Sequence, residues 1–416
     1  MNKKEASIYI HWPFCKKKCP YCDFNSHVSS KIDQQVWEES YIKAINFYKP
    51  ILQNRKLNSI FFGGGTPSLA EPKLIGRIID HLSEMCDITD SEITMEANPT
   101  SVESAKLKDF KKAGINRLSL GIQSLNDQQL LFLGREHSSA EAIQALEKVA
   151  STFANYSFDL IYALPNQTTA EWRKELENAL INFTPPHMSL YQLTIEEGTK
   201  FYNLYQNKKL IPLNEDICAE MYEATQEIMD KYRMPAYEIS NHSLSGFECR
   251  HNLCYWRYQE FVGVGPGAHG RIEYNDILAG YISQEGDLSH NIGTTPNCSK
   301  IATVEHKSPQ TWLNQVNQEN IDFCTNPLAS GIYSAEIIPL MQQRTEAIIM
   351  GMRLREGIEI QTNKAGDYDQ SKIEMDLTKI GELVQNGLID YDEQNSRIKT
   401  TARGTLLLNQ VLKHLE

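Results

Sequence analysis

Residues 7–24 read SIYIHWPFCKKKCPYCDF, a short apolar segment that runs directly into three cysteines. The segment Ser7–His11 has the composition of a β-strand, and Cys15, Cys19 and Cys22 follow it with the spacing C-x3-C-x2-C. This spacing offers three thiolates, not four, to one inorganic centre. Iron–sulfur clusters take cysteine thiolates at short sequence spacing, because each sulfur reaches a different corner of one small cage. The pattern therefore favours a [4Fe–4S] cluster with one iron open to a small molecule.

Two other interpretations of these cysteines stay open from the sequence. A structural zinc ion would take His11 or His27 as its fourth ligand. Zinc sites usually pair two C-x2-C-like knuckles across a longer gap, and this sequence has no second knuckle. A disulfide would leave one of the three thiols without a partner.

The composition indicates a protein of a reducing compartment. The chain has 416 residues and nine cysteines, an odd number without the spacing of a secreted disulfide framework. Its first residues, MNKKEAS, carry charge but no apolar signal segment, and no run approaches the roughly 20 apolar residues that a membrane span requires. We therefore expect a soluble cytoplasmic protein. The net charge of −12 argues against a nucleic-acid partner, because phosphate binding needs a basic surface.

Most of the chain alternates short apolar segments with helical patterns. Such alternation is typical of βαβ units and a parallel sheet. The predicted strands are Ser7–His11, Ser59–Phe62, Glu92–Glu96, Arg117–Leu120, Tyr156–Tyr162 and His187–Thr194. Six units are fewer than the eight of a closed barrel. The sequence therefore predicts an α/β fold, a partial (β/α)6 TIM-like barrel whose open side admits a large substrate.

Unusual residues cluster where the predicted strands end. The cysteines follow the first strand and Gly63–Gly65 ends the second, while Glu96, Gln123, Asp159 and Thr194 lie at or just beyond the ends of later strands. In parallel barrels the active site is built from the loops at the carboxyl ends of the strands. A glycine run lets backbone approach a ligand where a Cβ would clash, although three glycines equally suit a tight turn.

These segments resemble the radical SAM superfamily, and within it the oxygen-independent coproporphyrinogen III oxidase-like family. The resemblance covers nearly the whole chain, and the motifs occur in the family's order. The segments that carry it are Tyr9–Phe24, Gly63–Pro67, Glu96–Pro99, Gly121–Ser124 and Phe158–Pro165. It implies that the three cysteines hold one [4Fe–4S] cluster, whose open iron is chelated by the amino and carboxylate groups of S-adenosylmethionine.

The resemblance also implies which residues bind S-adenosylmethionine. They are Tyr9, Tyr21, Gly64, Gly65, Thr66, Glu96, Gln123, Arg135, Asp159 and Thr194. Arg135 would pair with the cofactor carboxylate in a bidentate fork, and Asp159 would accept from ribose or amine groups. Simpler roles stay open for the same residues: a helix-end salt bridge for Arg135, a cap for Asp159, and core packing for the tyrosines.

Two features distinguish branches of this family. Its oxidases carry a further cysteine two residues past the third ligand, where this chain has Phe24. His251, Asn252, Tyr255 and Trp256 fit the H-N-x-x-Y-W pattern of the haem chaperone branch, which implies that they contact haem. A histidine suits haem iron as an axial ligand, and the two aromatic rings suit the porphyrin face. From the residues alone, a core aromatic pair beside a hydrogen-bonded histidine is the simpler interpretation.

Cys254 and His269 are further candidate ligands. Cys254 lies three residues past His251 and would offer haem iron a soft second ligand. His269 falls in the glycine-rich loop Gly263–Gly270, which Pro266 distinguishes from a dinucleotide-binding fingerprint. We expect this loop to be a tight crossing near the cofactor or porphyrin, and a structural role is the simpler interpretation of His269.

The chain is predicted to divide into three parts. Residues 1–240 form the core barrel, residues 241–330 a connecting region that contacts porphyrin, and residues 331–416 a smaller C-terminal domain of the family's winged-helix-like type. The predicted function is that of a haem chaperone, which receives haem from a donor and passes it to an acceptor apoprotein. It is not expected to be an integral membrane protein, although it would touch membrane haem enzymes transiently. The alternative is an oxygen-independent coproporphyrinogen III oxidase, and a zinc-stabilised interaction protein is a third hypothesis.

Overall fold

The computed structural model describes residues 4–53, 55–99, 104–273, 300–318, 330–361 and 373–415. The strands within these ranges are numbered here in chain order. They are β1 Lys4–Trp12, β2 Phe14–Cys15, β3 His27–Val28, β4 Arg55–Gly64, β5 Glu92–Ala97, β6 Arg117–Gln123, β7 Asn155–Tyr162, β8 His187–Gln192, β9 Asn241–Ser243, β10 Phe261–Val264, β11 His269–Glu273, β12 Lys300–Glu305, β13 Ile332–Ile338, β14 Ile358–Gln361, β15 Ile373–Glu374, β16 Ile389–Asp392 and β17 Arg397–Thr400.

Helices connect most of these strands, as the alternating pattern predicts. The helices of the same ranges are Gln34–Phe47, Lys49–Leu52, Pro72–Met85, Ser104–Lys112, Asp127–Phe132, Ser139–Thr152, Thr169–Phe183, Lys200–Gln206, Glu215–Lys231, Arg250–Trp256, Pro309–Val316, Leu340–Gly351, Leu377–Gln385, Ala402–Leu406 and Leu408–Leu415, with a 3₁₀ turn at Pro67–Leu69. None of the described helices is both long and apolar enough to cross a membrane.

Eleven of the described strands form one sheet in the order β13-β12-β11-β10-β1-β4-β5-β6-β7-β8-β9. The six predicted strands (β1 and β4 to β8) lie side by side and in parallel, with helices between them. Among the residues described, the edge strands β13 and β9 are not hydrogen-bonded to each other, so the barrel is open. The predicted partial (β/α)6 fold is confirmed.

The open edge carries strands that the sequence analysis did not find. β10 pairs in parallel with β1 and makes a seventh parallel strand, and β11, β12 and β13 continue as an antiparallel meander. At the other edge β9 pairs antiparallel with β8. The main sheet therefore runs across residue 240 and reaches Ile338, while the predicted division of the chain into domains stays a prediction.

Successive residues of β1 alternate between two environments, as in any strand with two covered faces. Ile8 and Ile10 point to the helical layer and are fully buried in the large apolar core. Ser7 faces the barrel interior, where the Ser59 hydroxyl of β4 donates to its Oγ at 2.8 Å. The barrel is thus apolar outside, under its helices, and polar inside.

A short helix closes the amino end of the barrel. His251 of helix Arg250–Trp256 places Nδ1 at 2.8 Å from Ser59 Oγ and Nε2 at 2.8 Å from the Tyr255 hydroxyl. Its ring also stacks on Phe61 of β4 at 4.9 Å between centroids. Burial lowers the pKa of His251 to about 3, so the imidazole is neutral at physiological pH.

A buried charge pair fastens this helix to the sheet. Arg117 of β6 is only 2% exposed, and its Nη2 donates to Ser157 Oγ at 3.0 Å. Its Nε lies 3.9 Å from Oε2 of Glu92, which is buried as well. The other oxygen of Glu92 accepts the backbone N–H of Arg250 at 3.0 Å. Removal of either charged side chain would leave the other charge buried and uncompensated. The pair therefore holds the closing helix against the strands β5 and β6.

Residues beyond the main sheet build a smaller unit with its own apolar core. Strands β15, β14, β17 and β16 form a second sheet, and the hairpin β16–β17 lies between helix Leu377–Gln385 and the final helices. This helix, hairpin, helix order agrees with the predicted winged-helix-like tail. Ion pairs join the unit to the barrel, with Arg257 Nε at 2.8 Å from Glu356 and Arg271 Nε at 3.0 Å from Glu346.

Glu305 provides a test of the packing between the meander and the helical layer. It is 1% exposed, and it accepts hydrogen bonds from Trp312 Nε1 at 2.9 Å and from the Tyr48 hydroxyl at 3.3 Å. Burial raises the pKa of Glu305 well above its ordinary value, so the folded protein holds this carboxyl protonated. Unfolding therefore releases a proton at any pH between the ordinary pKa of a glutamate and the raised pKa of folded Glu305.

We expect Glu305→Gln to remove this pH dependence. The free energy of unfolding of the variant, relative to the natural chain, should rise by about 1.4 kcal/mol per pH unit above pH 5, because only the natural chain loses stability by releasing that proton. Urea denaturation at pH 5, 6 and 7 measures the difference. Parallel pH profiles for the two proteins would mean that Glu305 is ionised in the folded state.

Candidate functional site

The three cysteines lie in one loop at the carboxyl end of β1. The loop is closed at its base, where Phe14–Cys15 pairs in parallel with His27–Val28. Cys15 is buried, and Cys19 and Cys22 are half-buried free thiols. Burial raises the pKa of Cys15 and of Cys22, and the nearby Cys19 raises both further. The three thiols therefore share one neighbourhood, in which a metal centre would supply the positive charge that thiolates need.

The donor set fits a cluster better than a single ion. Among the described residues, no three His, Cys, Asp or Glu side chains converge closely enough to hold one metal ion. A cubane cluster needs no such convergence, because each thiolate binds a different iron. His11, one candidate for a fourth zinc ligand, has Nδ1 at 3.0 Å from the Tyr9 hydroxyl and Nε2 at 2.8 Å from the Asn25 carbonyl oxygen. Both of its ring nitrogens are thus occupied.

A chain of hydrogen bonds runs behind the cysteine loop, along the rim that the carboxyl ends of the parallel strands form. Thr66 Oγ1 donates to Cys15 Sγ at 3.4 Å, and Asn98 Nδ2 donates to Thr66 Oγ1 at 2.9 Å. Arg135 Nη2 in turn donates to Asn98 Oδ1 and to the Gly121 carbonyl, while its Nη1 reaches Cys19 Sγ at 3.5 Å. The rim ends of several strands are thereby tied to two of the three sulfurs.

Arg135 is therefore a half-buried residue that links several strand ends through hydrogen bonds, and within the described part of the chain it does not form a surface salt bridge. Its Nε has no hydrogen-bond partner among the described residues. Asn98 links it to Thr66. The sequence analysis did not choose Asn98 as a site residue, although it lies directly after a strand and within the segment Glu96–Pro99 that carries the resemblance. A cleft opens beside this chain, and it is lined by Lys16, Lys17, Cys19, Thr66, Leu69, Asn98, Gly134, Arg135, Glu136 and His137.

The glycine run ends β4 in close contact with the cysteine loop. A Cβ on Gly64, whose φ is +109°, would lie 2.6 Å from the His11 ring, and one on Gly65 would lie 2.6 Å from the Phe14 carbonyl oxygen. Only glycine permits this approach. The contact that the glycines allow in this structure is with the chain itself, and contact of Gly64 and Gly65 with a cofactor stays a prediction.

Two carboxyl groups face each other inside the barrel at the same end. Glu96 Oε2 accepts the Gly64 N–H at 3.1 Å. Burial and the neighbouring Asp159 raise the pKa of Glu96 to about 8, and burial raises the pKa of Asp159 to about 6. Oδ1 of Asp159 has no hydrogen-bond partner within the described ranges. Arg117 lowers the pKa of both carboxyls and Arg135 that of Asp159, but burial outweighs these cations. Two such buried carboxyls form a candidate site for a cation or a hydroxyl donor.

Tyr9 lies between this carboxyl pair and the closing helix. Burial and the charge of Glu96 raise the pKa of Tyr9 well above its ordinary value. Its ring stacks on Phe61 at 6.2 Å and lies 6.1 Å from the His251 ring, measured between centroids. Tyr9 therefore belongs to the predicted cofactor site and to an aromatic column that reaches the amino end.

The other predicted cofactor residues lie at different places: at a strand end, beside the cysteine loop and at an exposed position. Gln123 ends β6 with a φ of 73°, a backbone conformation that residues other than glycine adopt rarely and mostly at functional sites. Tyr21 packs its ring against Phe201 at 6.4 Å, beside the cysteine loop. Thr194 is exposed, two residues beyond the end of β8.

The predicted haem residues lie at the opposite end of the barrel. Both ring nitrogens of His251 are hydrogen-bonded, and Asn252 Nδ2 donates to the Tyr237 hydroxyl at 3.4 Å. Trp256 lies under the guanidinium of Arg353 at 5.4 Å from its ring centroid. In this conformation His251 is a buried, hydrogen-bonded histidine and Tyr255 and Trp256 are half-buried, and contact of the motif with haem stays a prediction.

The candidate soft ligand near this motif is equally enclosed. Cys254 is 1% exposed, and its thiol points to the Glu260 carbonyl oxygen at 3.6 Å. Burial raises the pKa of Cys254 to about 11, so the side chain is a neutral thiol.

Comparison with known proteins agrees with this geometry. The profile of the radical SAM superfamily matches residues 9–179. The heme chaperone HemW of Haemophilus influenzae is 42% identical over 64% of this chain and 70% of its own length, and HemW of Buchnera aphidicola subsp. Schizaphis graminum is 31% identical over 98% of this chain and 97% of its own. The mitochondrial radical S-adenosyl methionine domain-containing protein 1 of Danio rerio is 34% identical over 85% of this chain and 74% of its own.

A solved structure supports the fold over the full length of the chain. Coproporphyrinogen III oxidase HemN of Escherichia coli superposes with a TM-score of 0.72 and covers 99% of this chain and 90% of its own. At 18% identity this likeness concerns the fold alone. The chain belongs to the radical SAM superfamily, in the family of the proteins named heme chaperone HemW and radical S-adenosyl methionine domain-containing protein 1.

Proposed function

We propose that this protein is a haem chaperone, which binds one [4Fe–4S] cluster, S-adenosylmethionine and haem, and transfers haem to an acceptor protein. The observation that carries the proposal is sequence identity of 31 to 42% to relatives named heme chaperone HemW, one of them matched over 97% of its length. The likeness to the oxidase HemN is 18% in sequence and supports the common fold.

Cys15, Cys19 and Cys22 would hold the cluster. A bound cluster would supply one electron and an iron without a protein ligand. The chain contributes hydrogen bonds from Thr66 to Cys15 Sγ and from Arg135 to Cys19 Sγ. Such bonds stabilise negative charge on the sulfurs, and they are one of the means by which proteins set a cluster's reduction potential.

The carboxyl pair and Arg135 would hold S-adenosylmethionine beside the cluster. Glu96 and the unpartnered Oδ1 of Asp159 suit its cationic and hydroxyl groups. Nε of Arg135 has no partner among the described residues, while both hydrogens of Nη2 are bonded, to Asn98 and to Gly121. A bidentate grip on the cofactor carboxylate therefore requires that Arg135 exchange one of these bonds for it.

Phe24 favours the chaperone over the alternative enzyme. The oxidases of the family carry a cysteine at this position, whereas this chain presents a phenyl ring that is 56% exposed. The common fold keeps an oxygen-independent coproporphyrinogen III oxidase as the second candidate function. A haem donor and a haem-accepting apoprotein are the proposed partners, met in the cytoplasm or transiently at membrane haem enzymes.

Replacement of any cluster ligand tests the first part of the proposal. We expect Cys15→Ala, Cys19→Ala and Cys22→Ala to abolish the broad visible absorbance of the anaerobically reconstituted protein, because the remaining two thiolates cannot hold the cubane. Iron and acid-labile sulfide analysis measures the loss. Cys218→Ala is the matched control, since Cys218 is a half-buried free cysteine of helix Glu215–Lys231. An unchanged spectrum in one of the three variants would remove that residue from the ligand set.

The carboxyl pair makes S-adenosylmethionine binding depend on pH. Glu96, with a pKa of about 8, is protonated in the free protein at pH 6 and ionises toward pH 8, so a cationic ligand should bind more tightly as the pH rises. We expect affinity to increase by up to about tenfold per pH unit in the natural chain and less steeply in Glu96→Gln.

Equilibrium dialysis of the reconstituted protein from pH 6 to 8 measures this difference. The cofactor's own ionisation is common to both proteins and cancels in the comparison. Glu84→Gln, on the exposed end of helix Pro72–Met85, serves as the control. Identical slopes for the natural chain and Glu96→Gln would exclude Glu96 as the group that meets the cation.

An anaerobic turnover assay separates the two candidate functions. The reconstituted protein is supplied with coproporphyrinogen III, S-adenosylmethionine and a strong reductant, and cluster and cofactor binding are verified in the same sample. We expect no protoporphyrinogen, and we expect haem added to that sample to pass to an apo-haemoprotein. Protoporphyrinogen formed over several turnovers would establish the oxidase and overturn the chaperone proposal.

A further inference from the structure

We propose that His269 is the axial ligand of the bound haem iron, at the open side of the barrel beside the cysteine loop. The inference rests on the proposed haem-carrying function, which it makes more specific. It assigns the iron to a residue outside the H-N-x-x-Y-W motif.

The motif histidine has no lone pair to offer in the folded protein. Both nitrogens of His251 are engaged at 2.8 Å, and the ring is 1% exposed. Iron binding there would break two buried hydrogen bonds and open the amino end of the barrel, and each buried polar group left without a partner would destabilise the fold. Several other described histidines are also buried, namely His11, His137, His187 and His242.

His269 has the opposite character. It begins β11, its side chain is exposed, and no described residue forms a hydrogen bond with its ring. Partial burial and the cations Arg271 and Lys307 lower the pKa of His269 below its ordinary value, which keeps the imidazole neutral at physiological pH. A neutral imidazole with a free nitrogen is the form that binds iron.

The glycine-rich loop places this imidazole at the same end of the barrel as the cysteines. β10 runs parallel to β1, and the chain reverses direction after the carboxyl end of β10 to form the antiparallel strand β11. A Cβ on Gly265 would lie 2.5 Å from the His11 carbonyl oxygen, and one on Gly267 would lie 2.5 Å from Asn25 Nδ2. The glycines thus let the loop lie directly against the chain on either side of the cysteines.

Asn25 locks the two loops together. Its Nδ2 donates to the Pro266 carbonyl at 2.8 Å and to the Lys307 carbonyl at 2.9 Å. Its backbone carbonyl oxygen accepts a hydrogen bond from Nε2 of His11 at 2.8 Å. The imidazole of His269 is therefore mounted on a loop that is fixed on both sides, as an axial ligand must be to hold iron at a defined position.

The surroundings of His269 suit a porphyrin with two propionates. Phe24, next to Asn25, is 56% exposed, and Val28 of the same loop is 62% exposed, so apolar surface faces solvent beside the site. Val304 lies opposite His269 in the sheet, and exposed Lys307 follows shortly after it. Apolar side chains cover a porphyrin face, and a lysine pairs with a propionate.

Haem titration of His269→Ala tests the assignment. We expect the variant to lose the Soret position of the natural protein and to bind haem about tenfold more weakly or worse. Free imidazole should restore the spectrum, because it can occupy the vacated axial position. His269→Met should bind haem with a spectrum shifted by the thioether. His81→Ala, on the outer helix Pro72–Met85, is the matched control and should behave as the natural chain.

The outcomes separate this inference from the function on which it rests. An unchanged spectrum and affinity in His269→Ala, while the natural chain binds haem, would overturn the ligand assignment and leave the chaperone function standing. The same holds if only His251→Ala, shown by circular dichroism to be folded, loses the spectrum. Failure of the natural chain itself to bind haem would overturn the proposed function and the assignment with it.

Discussion

The polar interior of the barrel imposes the constraint on which the rest of the structure depends. Arg117 is buried with Glu92, and a charge pair removed from water must have its remaining donors and acceptors satisfied by the protein. Ser157 and the backbone N–H of Arg250 supply two of these partners, whereas Arg117 Nε has no hydrogen bond among the described residues and faces Glu92 at 3.9 Å. The short helix that starts at Arg250 is therefore not an accessory, because the pair that stabilises the sheet also fixes this helix in the amino end.

The closed amino end determines where chemistry can occur. His251 and Tyr255 fill one end, and the cleft beside Cys19, Thr66 and Arg135 opens at the carboxyl end, where Asp159 Oδ1 and Arg135 Nε have no hydrogen-bond partner among the described residues. The aromatic column of Tyr9, Phe61 and His251 joins the two ends through direct ring contacts. The barrel is thus closed by packed side chains at its amino end, and it presents polar atoms that can bind a ligand at its carboxyl end.

Much of this arrangement follows from the sequence. The six parallel strands and the grouping of the cysteines, Glu96 and Asp159 at one end follow from apolar alternation, since the carboxyl ends of parallel strands meet at one rim. The meander β10–β13 escaped prediction because short strands around a glycine-rich loop have little periodicity to detect. The sequence of the motif at His251 shows residue types that suit haem. It does not show that His251 is buried, because burial depends on the residues that pack around it in the fold. Asn25 and Asn98 lie in loops, where no pattern distinguishes a linking amide from a solvated one.

The role of Asn25 has a consequence for the order in which the protein is made. Its side chain bonds carbonyls 241 and 282 residues further along the chain. During vectorial synthesis the cysteines leave the ribosome early, yet the loop that surrounds them reaches its final shape only after roughly two thirds of the chain has followed. Insertion of the proposed cluster into a finished loop would therefore be a late event, and the nascent thiols spend most of translation without the contacts that shape their loop.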